Sequence, residues 1–599
     1  MAQSDTNLKL ARLAFETEQW SLAAGYYGEL TAHPQTQNEA LIHQTQCAIN
    51  LGGTEKAFEL AEYGVAQIPD NDIAWQQLTQ CARAIENNER EIEAWQALIG
   101  LEPENEIYPL SLAQLLHAEA RHYEAKPYFE LAFEIAPDSF EVRWTRCFGA
   151  LWKIYNSESE LSQQRDFYTR ELTEIANMVA KADLEQLKLW QPVLTSTTPY
   201  FLSCQMANDT DLQRIYGKIA TTINTAATPS ELLVLPIRSP DMSKKRLGFI
   251  SGGFKSHTVT KLFRGWWKNL DRAKFEIVIL DADPGTDPLA KETQDLADVY
   301  HVLPADWVAQ VEAVRDAACD VLIYLEIGQN QLVNALASLR LAPVQAAAWG
   351  HVLTTGYDSI DYFISGDFIE PEQAQENYTE ALIKLPHISI YYEPAIEPPQ
   401  PAERQQFGFD EEKTLFLCAQ THYKYLPRYD EVLILIASEL PNSQFVFLDR
   451  HMPVITESLR TRLAEKFRAA GIDAEEHMVF LPQLSFGEYL ELNTVCDLFL
   501  DTLLWTGAMT TLEAIDCGLP IVTMAGDDIR GLQSAGMLRM MNLDSYIAND
   551  VDDFIRLAVE MGSDQDKRKE YKNLLKNRKE LLFRDTECIN GLQNFLLRI

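Results

Sequence analysis

The chain lacks any C-x-x-C pair, any long apolar run and any excess of positive charge. Its nine cysteines (Cys47, Cys81, Cys147, Cys204, Cys319, Cys418, Cys496, Cys517, Cys588) are scattered over 599 residues. An odd, unclustered set argues against a disulfide framework and predicts reduced thiols in a cytoplasmic compartment. No stretch approaches the about eighteen apolar residues of a membrane span. The opening MAQSDTNLKLARLAFETEQW carries no apolar signal core, so membrane insertion is not expected. Lys and Arg total 51 against 88 Asp and Glu, a net charge of −37. Such a surface repels nucleic acid and anionic membrane, and both are excluded as expected partners. No G-x-x-x-x-G-K-[ST] and no His/Cys/carboxylate cluster with zinc spacing occurs. Asp281-Ala282-Asp283 has the D-x-D form of a manganese site, but it ends an apolar run just before Pro284-Gly285 and reads as a turn.

The length predicts roughly three or four domains, and the first part of the chain repeats. Pro34, Pro69, Pro103 and Pro137 stand 35, 34 and 34 residues apart. Tyr26, Ala61, Trp95 and Phe129 precede them by eight residues, and Leu22, Ala57, Glu91 and Ala125 by twelve. A period of 34 with a proline after the second helix is the tetratricopeptide pattern, a stack of helix pairs. Repeats are therefore expected over 1–140, and a helical linker region over 141–240 with its boundary near Asp241.

Beyond that point short apolar runs alternate with helical stretches. RLGFISGGF, FEIVILDAD, DVLIYLEIG, VQAAAWGH, DYFISGDF and LIKLP form one series. A linker rich in proline (Pro394, Pro398, Pro399, Pro401) follows, then TLFLCAQ, SQFVFLDR, HMVFLPQ, DLFLDTL and PIVTMAG. Continuous apolar strands between helices predict parallel sheets covered on both faces. Two series predict two Rossmann-like lobes facing a cleft, over 241–400 and 401–599. The expected fold class is α/β with N-terminal all-α repeats.

Ligands in such sheets bind at strand carboxyl ends. The run Asp501 to Pro520 places a strand, a small turn (Thr506-Gly507-Ala508), two hydroxyls (Thr510, Thr511) and Glu513 at a helix start. Unpaired N–H groups there form an anion seat. Glu513, one turn along, could accept both hydroxyls of a ribose, and Lys424 would bring a full positive charge from another strand end. Together these residues describe a grip on a nucleoside diphosphate. In the first lobe, Ser251-Gly252-Gly253-Phe254-Lys255-Ser256-His257 follows the opening strand, Glu326 ends another as a candidate general base, and Gly350-His351-Val352-Leu353-Thr354-Thr355-Gly356 follows a third.

These segments resemble the protein O-GlcNAc transferase family, which includes the plant Spindly O-fucosyltransferases and bacterial relatives with helical repeats. The resemblance covers about residues 198 to 590. It rests on Gly507, Thr510 or Thr511, Glu513 and Gly518-Leu519-Pro520, on Tyr423-Lys424, on Ser251-x-x-Phe254-x-x-His257, and on the Gly350 to Gly356 loop ahead of Asp361-Tyr362. The chain departs from it in places: Ala508-Met509 and Lys261 stand where the family often has histidine, and Val352 where it has proline.

The resemblance implies a GT-B fold and an inverting transfer of GlcNAc, fucose or another hexose from a UDP- or GDP-sugar to a hydroxyl or amide of a protein or peptide acceptor presented by the repeats. It implies Lys424 at the diphosphate with Gln420 beside it, backbone groups at Leu484 against the base, and His257 as the acceptor-side catalytic residue. His351, Thr354 and Thr355 would line the acceptor side. Neither cofactor nor metal is expected, the nucleotide-sugar being a substrate. Homo-oligomerisation through the repeats stays open. The rival readings are a non-catalytic repeat scaffold with a degenerate transferase half, a GT-B-fold epimerase or phosphorylase, and a transferase acting on a glycan.

Overall fold

The computed structural model describes residues 2–236, 244–394, 400, 402–449 and 452–599. The expected boundary at Asp241 and most of the proline-rich linker lie outside the described residues. The chain divides into two compact units, Met1–Trp152 and Lys153–Ile599.

In the first unit the helices pair as Ala2–Glu16 with Trp20–Leu30, Gln37–Asn50 with Thr54–Gln67, Asp72–Ala84 with Asn88–Leu101, and Ile107–Ala118 with His122–Ile135. Each spaced proline falls just beyond the second helix of a pair. The positions eight and twelve residues upstream are buried in the later pairs: Ala57, Ala61, Glu91, Trp95, Ala125 and Phe129. The first pair corrects the sequence reading. There Ala23 and Tyr27 are the buried residues, while Leu22 is 49% exposed. Pro34 comes one residue early, so counting back from it lands one position off the buried face. Glu91 occupies a position held elsewhere by alanine, and its carboxylate accepts from the Arg83 guanidinium and from Trp95 Nε1, which offsets its burial.

The second unit contains two parallel sheets. The first comprises β1 (Lys245–Ser251), β2 (Phe275–Asp281), β3 (Val299–Val302), β4 (Val321–Tyr324), β5 (Val344–Ala348), β6 (Tyr362–Gly366) and β7 (Ala381–Leu385), in the order β3-β2-β1-β4-β5-β6-β7. The second comprises β8 (Thr414–Cys418), β9 (Ser443–Leu448), β10 (Met478–Leu481), β11 (Leu498–Leu500), β12 (Ile521–Met524) and β13 (Ile547–Ala548), in the order β10-β9-β8-β11-β12-β13. Every pairing within them is parallel. The strand order reverses between β1 and β4 in one sheet and between β8 and β11 in the other, and such reversals open the crevices where ligands sit.

The helical stretch before β1 is integral to this unit. Helix Thr210–Ala226 meets the first lobe so closely that a Cβ on Gly217 would stand 2.0 Å from the Gly356 carbonyl oxygen. Gly356 itself has φ +73°, a conformation open to glycine. Arg462 Nη1 donates to the Tyr155 carbonyl at 2.6 Å, tying the same stretch to the second lobe. The last helix, Thr586–Arg598, was expected to stay with the second lobe. It returns to the first, where Lys245 Nζ donates to the Leu596 carbonyl at 2.8 Å and Phe595 packs edge-on against Tyr362. Among the described residues no helix is long and apolar enough to cross a membrane.

Candidate active site

The second lobe's half of the site stands at the ends of β8 and β11, the two strands of its switch point. After β8 the chain makes a 3-10 turn, His422–Lys424. Lys424 Nζ donates to Gln420 Oε1 at 2.9 Å and lies 4.9 Å over the Trp505 ring. Gln420 Nε2 donates to Thr510 Oγ1 at 2.7 Å. One amide thus joins the lysine to the helix Met509–Asp516, whose N-cap, Ala508, has no side chain able to cap it. No side chain caps the first N–H groups of that helix, and the positive end of its dipole lies behind them.

Gly507 is required for this turn. A Cβ there would come within 2.3 Å of Thr511 Oγ1, 2.6 Å of Gln420 Nε2 and 2.7 Å of Thr510 Oγ1. The two threonines diverge, because adjacent helical positions point about 100° apart. Thr510 faces the cleft, whereas Thr511 is fully buried with its hydroxyl 2.8 Å from Ser534 Oγ.

Several residues outside the sequence expectations hold the turn. Asp501 accepts from the Thr502 and Gly507 N–H groups at 3.0 and 2.9 Å and from Thr523 Oγ1 at 2.9 Å. Burial pushes its carboxyl up to about 6. Ser534 Oγ donates to the Gly507 carbonyl at 3.0 Å. The Arg530 carbonyl accepts both the N–H and the hydroxyl of Thr506, at 2.9 and 3.0 Å. The Arg530 guanidinium meanwhile donates to the Ser203 and Ala207 carbonyls at 3.1 and 2.9 Å and stands 3.5 Å from Asp209 Oδ2. Asp209 also pairs with Arg165 at 2.7 Å. The helical stretch before β1 is in this way pinned to the loop that carries the anion seat.

The first lobe contributes the β1 and β4 ends. His257 caps the helix Thr258–Asn269, its Nδ1 accepting from the Val259 N–H at 3.3 Å. Burial, with Lys255 and Lys261 nearby, holds its pKa below the ordinary value. With Nδ1 accepting from Val259, the proton of the neutral ring belongs on Nε2. Glu326, the candidate general base, is buried. Its Oε1 accepts the Gly252 N–H at 2.6 Å, and burial raises its carboxyl to about 7. Asp281 accepts from Tyr300 Oη at 2.6 Å and from the Asp283 N–H at 3.0 Å, and Asp283 pairs with Lys255 at 2.6 Å. That is the strand-end turn read from the sequence. Among the described residues no group of three His, Cys, Asp or Glu is placed to hold a metal ion.

A cavity of about 270 Å³ between the lobes brings together His257, Gln420, Lys424, Trp505, Ala508 and Thr510, with Tyr200 and Tyr423 at its wall. The two tyrosine hydroxyls are 3.0 Å apart. A neighbouring cavity of about 340 Å³ shares Thr258, Met509 and Thr510 with it and adds Leu484, Glu513 and Lys261. Leu484 and Glu513 thus lie on one side of the seat, and His257 on the other.

The acceptor-side expectations at 351–355 do not fit this arrangement. Thr354 Oγ1 donates to Glu380 Oε2 at 2.6 Å, and Thr355 gives Glu380 Oε1 both its N–H, at 2.8 Å, and its hydroxyl. These hydroxyls satisfy a buried carboxylate. His351 is buried beside Tyr200, ring centroids 5.6 Å apart, and burial with Arg530 lowers its pKa to about 3. Gly350 and Val352, not His351, line the cleft.

Two Rossmann-like lobes with a cavity between them form a GT-B glycosyltransferase fold. The chain belongs to glycosyl transferase family 41, whose profile matches residues 236–392 and 399–587. It is 27% identical over 331 residues to the probable UDP-N-acetylglucosamine–peptide N-acetylglucosaminyltransferase SPINDLY of Arabidopsis thaliana, a match covering 53% of this chain and 35% of that protein. It is 23% identical over 299 residues to the UDP-glucose:protein N-beta-glucosyltransferase of Actinobacillus pleuropneumoniae, covering 49% and 47% respectively. The aligned region thus spans a third to a half of these relatives' length. An O-GlcNAc transferase mutant from Thermobaculum terrenum shares the fold at a TM-score of 0.65 and 20% identity, covering 94% of this chain and 96% of that one.

Proposed function

We propose that this chain transfers a hexose from a nucleoside diphosphate donor to a protein acceptor with inversion at the anomeric carbon. The observation that carries this reading is the linked set of Lys424, Gln420 and Thr510 at the uncapped start of helix Met509–Asp516. Charge builds on the diphosphate as the leaving bond breaks, and a fixed cation with oriented N–H groups stabilises that state more than the ground state. Thr510 Oγ1 already accepts from Gln420, so its own proton is oriented for a phosphate oxygen. The acceptor oxygen or nitrogen attacks the anomeric carbon on the face opposite the diphosphate. One bond forms to that carbon, the bond to the diphosphate oxygen breaks, and the acceptor's proton passes to a base.

His257 is the proposed acceptor-side residue. With Nδ1 held by Val259, its Nε2–H serves first as a donor that orients the acceptor or donor; accepting the proton requires Nδ1 to release Val259. Leu484 and Glu513 are proposed at the base and ribose, in the cavity beside the seat. Nothing in the proposed chemistry calls for a metal, since Lys424 and the helix start supply the positive charge.

The names of the relatives support a protein acceptor, and the repeats supply a surface for one. UDP and GDP fit the reading equally. A thermal-shift panel of UDP, GDP and their sugars, followed by hydrolysis of the binding sugar nucleotide, tests it, because a ligand of the folded state alone raises its stability. Absence of any shift and of any hydrolysis would favour the non-catalytic scaffold.

A further inference from the structure

We propose that Lys261 completes the ribose site from the opposite lobe, one ribose hydroxyl being held between Lys261 Nζ and the Glu513 carboxylate. The inference rests on the donor reading above and adds to it a residue that selects ribonucleotides over their deoxy forms.

Lys261 lies on the first-lobe helix Thr258–Asn269 and Glu513 on the second-lobe helix Met509–Asp516, and both line the cavity that holds Leu484. Lys261 Nζ stands 3.9 Å from Glu513 Oε1. That is too long for a direct hydrogen bond, yet a hydroxyl oxygen at about 2.8 Å from each atom bridges it. The chemistry of the pair is as selective as its spacing. An ammonium only donates and a carboxylate only accepts, whereas a hydroxyl does both at once. A phosphate oxygen at this point would be repelled by Glu513, and an amine by Lys261. Nζ also lies 4.3 Å over the Phe486 ring, a contact that favours this position. Glu513 is 7% exposed, so its interactions are weakly screened by solvent. The two partners belong to different lobes, and a hydroxyl held between them therefore also joins the lobes across the nucleoside.

Calorimetric titration of the full chain tests this with UDP and GDP, and with the 2′-deoxy and 3′-deoxy forms of whichever binds. The wild type should lose roughly tenfold to a hundredfold in affinity on removal of at least one hydroxyl, as expected for hydrogen bonds to charged groups. Lys261→Met should weaken the ribonucleotide while leaving the deoxy form within about threefold, so that discrimination narrows by roughly threefold to tenfold, the Glu513 contact remaining. Lys261→Gln, which keeps a donor without the charge, should fall between the two, and it serves the same test if the methionine variant does not fold. Unchanged discrimination in either folded variant overturns the assignment of Lys261 and leaves the donor reading standing. A wild type that binds the ribo- and deoxy forms equally overturns it too. A wild type that binds neither UDP nor GDP overturns both.

Discussion

Lys424 is held in place by Gln420: Nζ donates to Oε1 at 2.9 Å, while the other end of the same amide donates to Thr510. The amide fixes where the cation sits relative to the helix start, so the two residues should differ in kind when removed. Lys424→Ala removes the charge and should lower kcat by roughly a hundredfold or more in a folded protein. Gln420→Ala leaves the charge with the Thr506 carbonyl and the Trp505 ring beside it, and should cost less in kcat. Steady-state hydrolysis of the bound sugar nucleotide by both variants checks the order, and equal rates for wild type and Lys424→Ala would remove Lys424 from the mechanism.

Gly507→Ala should damage the seat without touching a charged group. The added methyl would meet Thr511, Gln420 and Thr510 at 2.3 to 2.7 Å. Overpacking of this kind costs about 1–3 kcal/mol of stability. The larger effect should be on donor binding, because two of the displaced side chains form the seat. Titration with the nucleoside diphosphate beside a melting curve separates the two effects.

The central strands were legible because they are buried on both faces and read as continuous apolar runs. The two strands absent from that reading, β3 and β13, are sheet edges. VYHV at 299–302 is half-exposed and interrupted by His301, and Ile547–Ala548 is too short to show a pattern. Lys424, Gly507 and Glu513 were legible as local features, each at a strand end or helix start. Arg530 was not, since its guanidinium works on carbonyls 323 and 327 residues away in sequence. The fates of Thr354 and Thr355 depend on Glu380, a partner no spacing rule points to. The divergence of Thr510 and Thr511 could have been read, because neighbours on a helix cannot face the same way.

Transfer should be independent of divalent metal. Lys424 and the start of helix Met509–Asp516 supply the positive charge, and both oxygens of Asp281 already have partners. Activity should survive EDTA. Complete loss, restored by manganese, would return Asp281 and Asp283 to consideration.

Glu326 should leave a mark on the pH dependence of stability. Burial raises its carboxyl from 4.5 to about 7. A group raised in this way stays protonated in the folded chain after the unfolded chain has ionised. Its stabilising effect is complete below the unfolded value and is lost as pH rises through about 7. The difference corresponds to about 3 kcal/mol at most. Glu370 and Asp501, raised to about 7 and about 6, share the trend, so the comparison must be between wild type and Glu326→Gln. The variant should gain in melting temperature on the wild type as pH rises from about 5 to about 8. Parallel curves would mean that Glu326 is ionised throughout.

The repeats should govern transfer to protein and not donor chemistry. Residues 1–152 form a compact unit of their own, and every residue placed at the donor lies in the other unit. Stacked repeats offer an extended surface suited to an unfolded chain. The net charge of −37 makes a basic or neutral polypeptide a better guest than an acidic one. Deletion of the first unit should therefore abolish transfer to the acceptor protein while slow hydrolysis of the sugar nucleotide continues. Adding salt should weaken transfer by the intact chain and leave hydrolysis unchanged, because charge attraction between exposed surfaces is screened beyond about 8 Å at physiological ionic strength. A truncated enzyme that still glycosylates its acceptor at the full rate would assign the repeats to another task, self-association being the first to measure by light scattering of the two forms.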